Sequence, residues 1–316
     1  MKHNDIVRLR TGVEISRLSL GTAAFGGLYR SVSETDCTDT LLTAINNGIN
    51  FIDTAPHYGK GTSEVRIGKA IAGRDRSSFV ISTKVGRILV ASDAEIDEFF
   101  MDADNSVERK FDFSARGVRQ SLESSLERLG IESVEILFIH DPDSHADDAI
   151  LEAYPELDRM RSEGIIKAIG VGMNQCAIPI RIMKETDIDV VLIAGRYSLL
   201  DQEAMEELLP TAVARNVDVI VAGVFNSGIL ANPVKGATFD YVPASDELLA
   251  KAVRIREVLD GHQVSLTSAA LQFPLRHPAV KSVLVGCRSA AEVESNIEEF
   301  DKTIENRAWD DLESVL

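Results

Sequence analysis

The sequence predicts an α/β protein built as a single (β/α)8 TIM barrel, with an N-terminal β-hairpin and an extra C-terminal helix. Eight short apolar or β-branched runs recur along the 316 residues, and amphipathic stretches of helical period separate them. Because such barrels take about 250 residues, one domain with decorations accounts for residues 1–316. The expected strands are Leu18–Gly21, Asn50–Asp53, Phe79–Thr83, Val134–Ile139, Ala168–Val171, Val190–Ala194, Val217–Ala222 and Ser282–Val285.

The segments around these strands carry their own signals. A Thr-Gly turn within "IVRLRTGVEISRLSLG" predicts a hairpin that closes the bottom of the barrel. Serine caps and terminal glycines predict one helix that ends at Gly48 and another that runs from Ser114 to Gly130. The polar segment Arg87–Phe113 is too long for a simple strand-to-helix link, so we expect a functional or mobile loop at the catalytic face.

A doubly wound dinucleotide-binding fold is the main alternative to the barrel. That fold normally shows Gly-x-Gly-x-x-Gly after its first strand. The stretch "GTAAFGG" does not fit this pattern, and "GVGMNQ" at Gly170 lacks the third glycine. The sequence therefore favours the barrel.

Composition narrows the class of protein. A hydrophobic fraction of 45% can build an extensive core, and a net charge of −17 disfavours nucleic acids and anionic membranes as partners. No apolar run approaches the length of a membrane span, and the first residues lack a signal-peptide core. We expect a cytoplasmic protein that acts on small molecules. Cys37, Cys176 and Cys287 are far apart, which predicts reduced, mostly buried thiols and no metal site.

Polar residues stand where three successive strands end, which is where a barrel of this kind places its chemistry. They are Asp53 and Tyr58, then Lys84, then His140. Taken singly, they also fit a turn former, a rim aromatic, a snorkelling cation and a satisfied histidine. Together they form an acid/base apparatus: Asp53 would neutralise Lys84, and Lys84 with His140 could favour the anion of Tyr58, which otherwise titrates near pH 10.

Longer motifs carry a family resemblance. The runs "NNGINFIDTAPHYGKGTSEVRIGKAI", "STKVG", "SLESSLERLG", "ILFIHDPD" and "GIIKAIGVGMNQ" resemble successive signatures of the aldo-keto reductase superfamily. This resemblance implies a barrel oxidoreductase that uses a nicotinamide cofactor, with Asp53, Tyr58, Lys84 and His140 as its catalytic tetrad. "AGRYSLLDQ", "AGVFNSGIL" and "LQFPLRHPAVKSVLVGCRSAAEVESNI" are most similar to the branch of aldose dehydrogenases for L-fucose or D-threo-aldoses. Pyridoxal 4-dehydrogenase and L-galactose dehydrogenase lie close to that branch.

The resemblance also implies the cofactor residues. It places Asn174 at the nicotinamide carboxamide and Phe225 under the ring, although Phe225 could instead be a core residue. The usual Ser-Asn pair and glutamine read here as Met173-Asn174 and Ala194, so these anchors are partly missing. The remaining expected cofactor residues are Asn226, Gly228, Gly286, Arg288, Glu292 and Asn296.

Two features of the last strand and helix bear on the adenosine end of the cofactor. Gly286 permits close backbone approach, and the helix that opens near Ser289 offers free N–H groups to an anion. Glu292 occupies the position where NADP-preferring relatives tend to carry a basic residue. We therefore expect NAD to be preferred over NADP, while Arg288 leaves NADP open.

The resemblance implies oxidation of an aldose hemiacetal to a lactone, with Tyr58, held partly as tyrosinate, as the base. Phe25, Tyr29, Asp141 and the segment 87–113 are the expected substrate-pocket residues. A monomer is the family expectation. Two other classes stay open: a cofactor-binding regulatory subunit with little turnover, and a Schiff-base lyase with Lys84 as nucleophile.

Overall fold

Eight parallel strands close into a barrel in the computed structural model, which describes residues 1–93 and 96–316. In chain order, the strands of these residues are β1 Ile6–Arg8, β2 Glu14–Ser16, β3 Leu18–Gly21, β4 Phe51–Asp53, β5 Val80–Ala91, β6 Val107–Asp112, β7 Ile136–His140, β8 Ala168–Met173, β9 Val190–Ala194, β10 Asp218–Ala222, β11 Thr238–Phe239, β12 Val242–Pro243 and β13 Val280–Gly286. The barrel order is β3, β4, β5, β7, β8, β9, β10 and β13, and β13 pairs again with β3. The predicted fold class is confirmed.

Helices follow the barrel strands and cover the outside of the barrel. They are α1 Glu34–Asn46, α2 Thr62–Ile71, α3 Ala115–Leu129, α4 Ala146–Asp148, α5 Tyr154–Ser162, α6 Ala177–Glu185, α7 Leu208–Arg215, α8 Asp246–Asp260, α9 Leu266–Gln272, α10 Ala290–Asp301 and α11 Asn306–Glu313. Short 3-10 turns cover Ala23–Gly26, Arg76–Ser78, Asp143–His145, Glu203–Met205, Asn226–Gly228 and Phe273–Arg276, and a π-helical turn covers Ala149–Ala153.

The predicted helix boundaries follow from capping. The Ser33 hydroxyl accepts a hydrogen bond from Asp36 N at 3.0 Å, and the Ser114 hydroxyl accepts one from Gly117 N at 3.1 Å. Such caps satisfy N–H groups that have no partner inside the helix. Gly130 ends α3 in the left-handed conformation, at φ 64°. α11 is the expected extra C-terminal helix, and it packs against α8.

The N-terminal hairpin closes the end of the barrel opposite the catalytic face. β1 and β2 pair antiparallel, with Ile6 opposite Ser16. Leu9, Val13 and Ile15 form one apolar cluster with side chains of the barrel interior, including Phe51 and Phe138. The interior is therefore a packed core rather than a channel, and it leaves room for ligands only at the carboxyl ends of the strands.

The segment Arg87–Phe113 differs from the prediction, because it is not a plain loop. β5 continues beyond the barrel to Ala91 and pairs antiparallel with β6. Gly86 lies opposite Asp112 at one end of this pairing, and Ala91 lies opposite Val107 at the other end. A β-hairpin arm, residues 86–112, therefore rises from the catalytic face. Ala94 and Glu95 of this segment lie outside the described residues.

Two further expectations concern burial and membrane contact. Cys37, Cys176 and Cys287 are free and buried, as predicted. Within residues 1–93 and 96–316, each helix is too short or too polar to cross a bilayer.

Candidate active site

An ion pair between neighbouring strand ends anchors the site. Asp53 is the last residue of β4, and Lys84 lies inside β5, so their side chains meet at the mouth of the barrel. Lys84 Nζ donates to Asp53 Oδ2 at 2.6 Å and to the Thr54 carbonyl at 2.8 Å. The Ser82 hydroxyl donates to the second carboxylate oxygen at 2.7 Å. Both charged side chains are about 2% exposed, so each charge depends on the other for stabilisation.

Tyr58 is the third group of this network. Lys84 Nζ lies 3.1 Å from Tyr58 Oη. Burial raises the pKa of Tyr58 to about 12, and the Lys84 ammonium opposes this rise only in part. The expectation that Tyr58 is held partly as tyrosinate is therefore wrong for the protein without ligands. Tyr58 is a protonated phenol at neutral pH, because desolvation of the anion outweighs the attraction of Lys84.

The charge of Lys84 is secure. Burial alone would lower the pKa of Lys84, but the adjacent Asp53 carboxylate and Tyr58 outweigh it and raise this pKa above its usual value. The side chain is therefore an ammonium group, with its hydrogen-bond donors directed to three oxygens. A protonated amine is not a nucleophile, so this arrangement argues against the Schiff-base alternative.

His140 ends β7 and completes the predicted tetrad. Its ring centroid lies 5.9 Å from that of Tyr58, with the two planes perpendicular. Burial and then the Lys84 charge hold the pKa of His140 well below its usual value, so the imidazole is neutral. Asp141 Oδ2 lies 3.4 Å from His140 Nε2 and accepts from Arg87 at 3.3 Å. Burial raises the pKa of Asp141, and Arg87 counteracts this effect.

A catalytic cavity of about 260 Å³ opens above these groups. The hairpin arm supplies Phe99 and Phe100 to its wall, and the Phe100 ring stacks on Tyr58 at 6.2 Å between centroids. Backbone hydrogen bonds fix this part of the arm: Tyr29 N donates to Phe99 O at 2.7 Å, and Met101 N donates to Gly27 O at 2.9 Å. The cavity is lined by Ala23, Leu28, Tyr29, His57, Tyr58, Lys84, Phe99, Phe100, His140, Asp141, Gly172, Met173, Asn174, Leu192, Ala194 and Tyr241.

The backbone that follows Tyr58 requires glycine at position 59. Gly59 adopts φ 62°, and a Cβ there would approach Gly26 Cα to 2.7 Å. A Cβ on Gly26 would come within 2.5 Å of Gly59 N. Two backbones therefore touch beside Tyr58, which locks its position relative to the loop after β3.

A second cavity, of about 890 Å³, adjoins the first. Leu28, Tyr29 and Tyr241 line both cavities, so a long ligand in the second could reach the catalytic groups in the first. Seven of the eight expected cofactor residues line the larger cavity: Phe225, Asn226, Gly228, Gly286, Arg288, Glu292 and Asn296. Asn174, the eighth, lines the catalytic cavity beside Met173 and Ala194.

The residues of the larger cavity fit a dinucleotide. A Cβ on Gly228 would meet nothing within 4 Å, and one on Gly286 would meet only Gly21 O at 3.9 Å, so both backbones are open to a ligand. Asn226 Oδ1 and Arg288 Nε are buried without a partner among the described residues, and a polar ligand can satisfy such atoms. The first turn of α10, capped by Ser289, supplies N–H groups at this site.

Phe25 is not brought to the substrate pocket. Its side chain is fully buried in the hydrophobic core and lines neither cavity. The 3-10 turn Ala23–Gly26 directs this ring inward, because burial of an aromatic ring in the adjacent apolar core is more favourable than its exposure in the cavity. Tyr29 and Asp141, the other two expected pocket residues, do line the catalytic cavity.

Several site residues were missed in the sequence. Ser82 had a usable signal, because it precedes Lys84 by two positions and therefore shares its strand face. The carbonyl of Thr54 had none, since any residue carries one. Phe99 and Phe100 belong to the segment 87–113, which was expected at the pocket, whereas Tyr241 reaches the cavity from a distant segment that local patterns do not reveal.

Comparisons with known proteins agree with this geometry. A model of the Aldo/keto reductase family matches residues 17–316. D-threo-aldose 1-dehydrogenase from Pseudomonas sp is 38% identical over 99% of this chain and 97% of that protein. Pyridoxal 4-dehydrogenase from Microbacterium luteolum is 38% identical over 96% and 95% of the two chains. The holo form of aldo-keto reductase AKR11C1 from Bacillus halodurans has the same fold, with a TM-score of 0.80 and 23% identity over 99% and 96% of the chains.

Proposed function

The chain belongs to the aldo/keto reductase family, and from this premise we propose that it oxidises the C1 hemiacetal of an aldose, such as L-fucose or a D-threo-aldose, to the lactone. The observation that carries the proposal is the 3.1 Å contact between Tyr58 Oη and Lys84 Nζ in a cavity that adjoins a dinucleotide-sized one. The relative D-threo-aldose 1-dehydrogenase supports the choice of substrate class.

The proposed reaction removes a proton and a hydride from the substrate. When bound, the nicotinamide cofactor accepts the hydride during oxidation and donates it during reduction. Tyr58 first releases its phenolic proton to water, and its oxygen then takes the proton of the C1 hydroxyl while the C1–H bond breaks, the hydride leaves C1 and a C1=O bond forms. General-base help of this kind contributes about a hundred- to ten-thousandfold. In the reverse direction, the phenol of Tyr58 protonates the carbonyl oxygen.

Lys84 and Asp53 act on this proton transfer without touching the substrate carbon. The Lys84 ammonium stabilises negative charge on the Tyr58 oxygen as it develops, and Asp53 fixes the ammonium at 2.6 Å. Neutral His140 lies beside Tyr58 and can hydrogen-bond the reacting oxygen without adding a charge. The complete tetrad favours an enzyme with turnover over a regulatory subunit.

We further propose that NAD is preferred over NADP. Glu292 lines the larger cavity, with its side chain 41% exposed, and its carboxylate accepts from Arg288 N at 2.8 Å. A carboxylate in this position would repel the 2′-phosphate of NADP and could accept from a ribose hydroxyl of NAD. The Arg288 guanidinium donates to Leu28 O at 3.3 Å, which holds it toward the loop after β3.

Pyridoxal is the second candidate substrate. Besides Tyr58, four aromatic side chains line the catalytic cavity and could enclose a flat ring, namely Tyr29, Phe99, Phe100 and Tyr241. Pyridoxal 4-dehydrogenase is also 38% identical to this chain. An aldose would instead pack its C–H faces on these rings and use Asp141, Asn174 and the two histidines for its hydroxyls.

Initial rates of NAD reduction test the proposal directly. The panel contains L-fucose, D-threo-aldoses, L-galactose and pyridoxal, each with the wild type and Tyr58→Phe. We expect turnover of an aldose by the wild type, with at least a hundredfold loss in kcat and a nearly unchanged Kd for NAD in the variant. Turnover of pyridoxal alone would favour the second candidate, and equal losses in kcat and NAD affinity would contradict the role of Tyr58.

A further inference from the structure

His57 is a polar residue of the catalytic cavity that the tetrad does not use. It directly precedes Tyr58 and lines the same cavity. Its ring centroid lies 5.6 Å from that of His140 and 5.4 Å from that of Phe100, and its plane is nearly perpendicular to both. His57 therefore stands beside the reacting groups, between a neutral histidine and an aromatic wall.

One ring nitrogen of His57 is left unsatisfied. Within residues 1–93 and 96–316, Nδ1 of His57 is buried and has no hydrogen-bond partner. Burial first, and then the Arg109 charge, lower the pKa of His57 to about 3, so the ring is neutral and carries a single N–H. A buried N–H without a partner is rarer than a buried acceptor without one, which favours the tautomer with its hydrogen on Nε2.

The hairpin arm fixes the position of His57. Arg109 in β6 donates to the carbonyl of His57 from Nε at 3.2 Å and from Nη2 at 2.8 Å. The same guanidinium forms an ion pair with Asp97 and lies 5.4 Å from the centroid of the Phe100 ring. Arg109 thus fixes the backbone of His57, and the rings of Phe100 and His140 flank its imidazole.

We infer that His57 is a specificity-determining residue, whose Nε2–H donates a hydrogen bond to a hydroxyl oxygen on the carbon next to the reacting carbon. The inference rests on the proposed function for the position of the reacting oxygen, which must lie at Tyr58 Oη. His57 lies directly before Tyr58 and lines the same cavity, with the two ring centroids 6.3 Å apart, so a hydroxyl on the adjacent carbon can come within hydrogen-bond reach of its ring. Of the two candidate substrates, an aldose carries a hydroxyl on that carbon and pyridoxal does not, so the contact favours α-hydroxy aldehydes and their cyclic hemiacetals.

Two small aldehydes isolate this contact. Lactaldehyde and propanal differ only in the hydroxyl next to the carbonyl, and their NADH-dependent reduction needs no sugar. We expect His57→Phe, which keeps the ring volume against Phe100, to lower kcat/KM for lactaldehyde about five- to tenfold. The value for propanal should stay within about twofold, and His57→Gln, which retains a donor, should recover part of the loss. His262→Phe, a change at a histidine that pairs with Asp311 away from both cavities, should affect neither substrate.

An unchanged ratio of the two kcat/KM values, whether both fall equally or neither falls, would overturn the inference. Where turnover is too slow to measure, ¹⁵N NMR of histidine-labelled protein with NAD decides. The imidazole signal that disappears in His57→Phe belongs to His57. It should report an unprotonated Nδ1, and it should shift when lactaldehyde is added but not when propanal is added. Absence of a shift with lactaldehyde would overturn the inference. If the His57 signal shifts with lactaldehyde but the protein oxidises no aldose, only the proposed function is refuted.

Discussion

Replacing Lys84 with methionine removes the cation that joins Asp53 to Tyr58, and we expect the change to affect activity and stability separately. At 3.1 Å, the ammonium attracts a unit charge on Tyr58 Oη by about 5 kcal/mol for an effective dielectric constant of about 20. This energy corresponds to about four decades in rate. Asp53, 2.6 Å from the same ammonium, offsets part of it, so we expect kcat to fall about a thousandfold.

The stability effect has a different origin. Asp53 is 1% exposed, and without Lys84 its carboxylate keeps, among the described residues, only the hydrogen bond from Ser82. An unpaired buried charge of this kind costs about 3–5 kcal/mol, a large part of the stability of a typical domain. The double variant Asp53→Asn/Lys84→Met removes both charges, so it should regain much of this loss while remaining inactive.

Urea denaturation and initial rates of NAD reduction measure the two effects. Lys235→Met, at an exposed position, serves as the matched control and should leave both quantities unchanged. Activity of Lys84→Met within tenfold of the wild type would refute the electrostatic role of Lys84. Equal stability of the single and double variants would refute the argument from the buried charge.

Three further predictions concern pH and cofactor choice. The pKa of His57 is about 3 in the folded protein and 6.5 in the unfolded chain, so the unfolded chain binds more protons as the pH falls below 6.5. Urea denaturation should therefore show that the free energy of unfolding of the wild type falls by about 1.6 kcal/mol more than that of His57→Phe between pH 6.5 and 5.0, and equal losses would contradict the pKa shift. Because the pKa of Tyr58 is about 12, the rate of hemiacetal oxidation should rise steadily from pH 6 to 9, without an inflection near the ordinary pKa of histidine. A plateau in the rate near pH 7 would show that Tyr58 is already ionised at that pH. Glu292→Gln keeps an acceptor for Arg288 N but removes the negative charge, so kcat/KM with NADP should rise about tenfold. Unchanged kinetics with NADP, or a wild type that favours NADP, would show that Glu292 does not discriminate between NAD and NADP.

The sequence was sufficient for the parts of the molecule that local patterns determine. Strand runs and capping residues predicted the barrel, and Val190–Ala194 was located to the residue. The tetrad was accessible because parallel strands bring their carboxyl ends to one face, so Asp53, Lys84 and His140 could be grouped without coordinates. Their ion pair and the 3.1 Å contact with Tyr58 agree with that grouping.

The remainder depended on contacts between distant segments. The continuation of β5 into an antiparallel arm depends on its pairing with β6, which the polar sequence of Arg87–Phe113 does not indicate. Phe25 is an expected pocket residue, but the 3-10 turn directs it into the core. The protonated state of Tyr58 depends on how much solvent the folded walls exclude, which is a property of three-dimensional packing.

The most direct test of the central claim is the initial rate of NAD reduction by the purified protein with L-fucose and D-threo-aldoses, measured in parallel with Tyr58→Phe. The account predicts NAD-dependent lactone formation by the wild type and at least a hundredfold lower kcat in the variant, with NAD still bound. A wild type that binds NAD but oxidises no aldose, or a Tyr58→Phe variant that retains full activity, would contradict it.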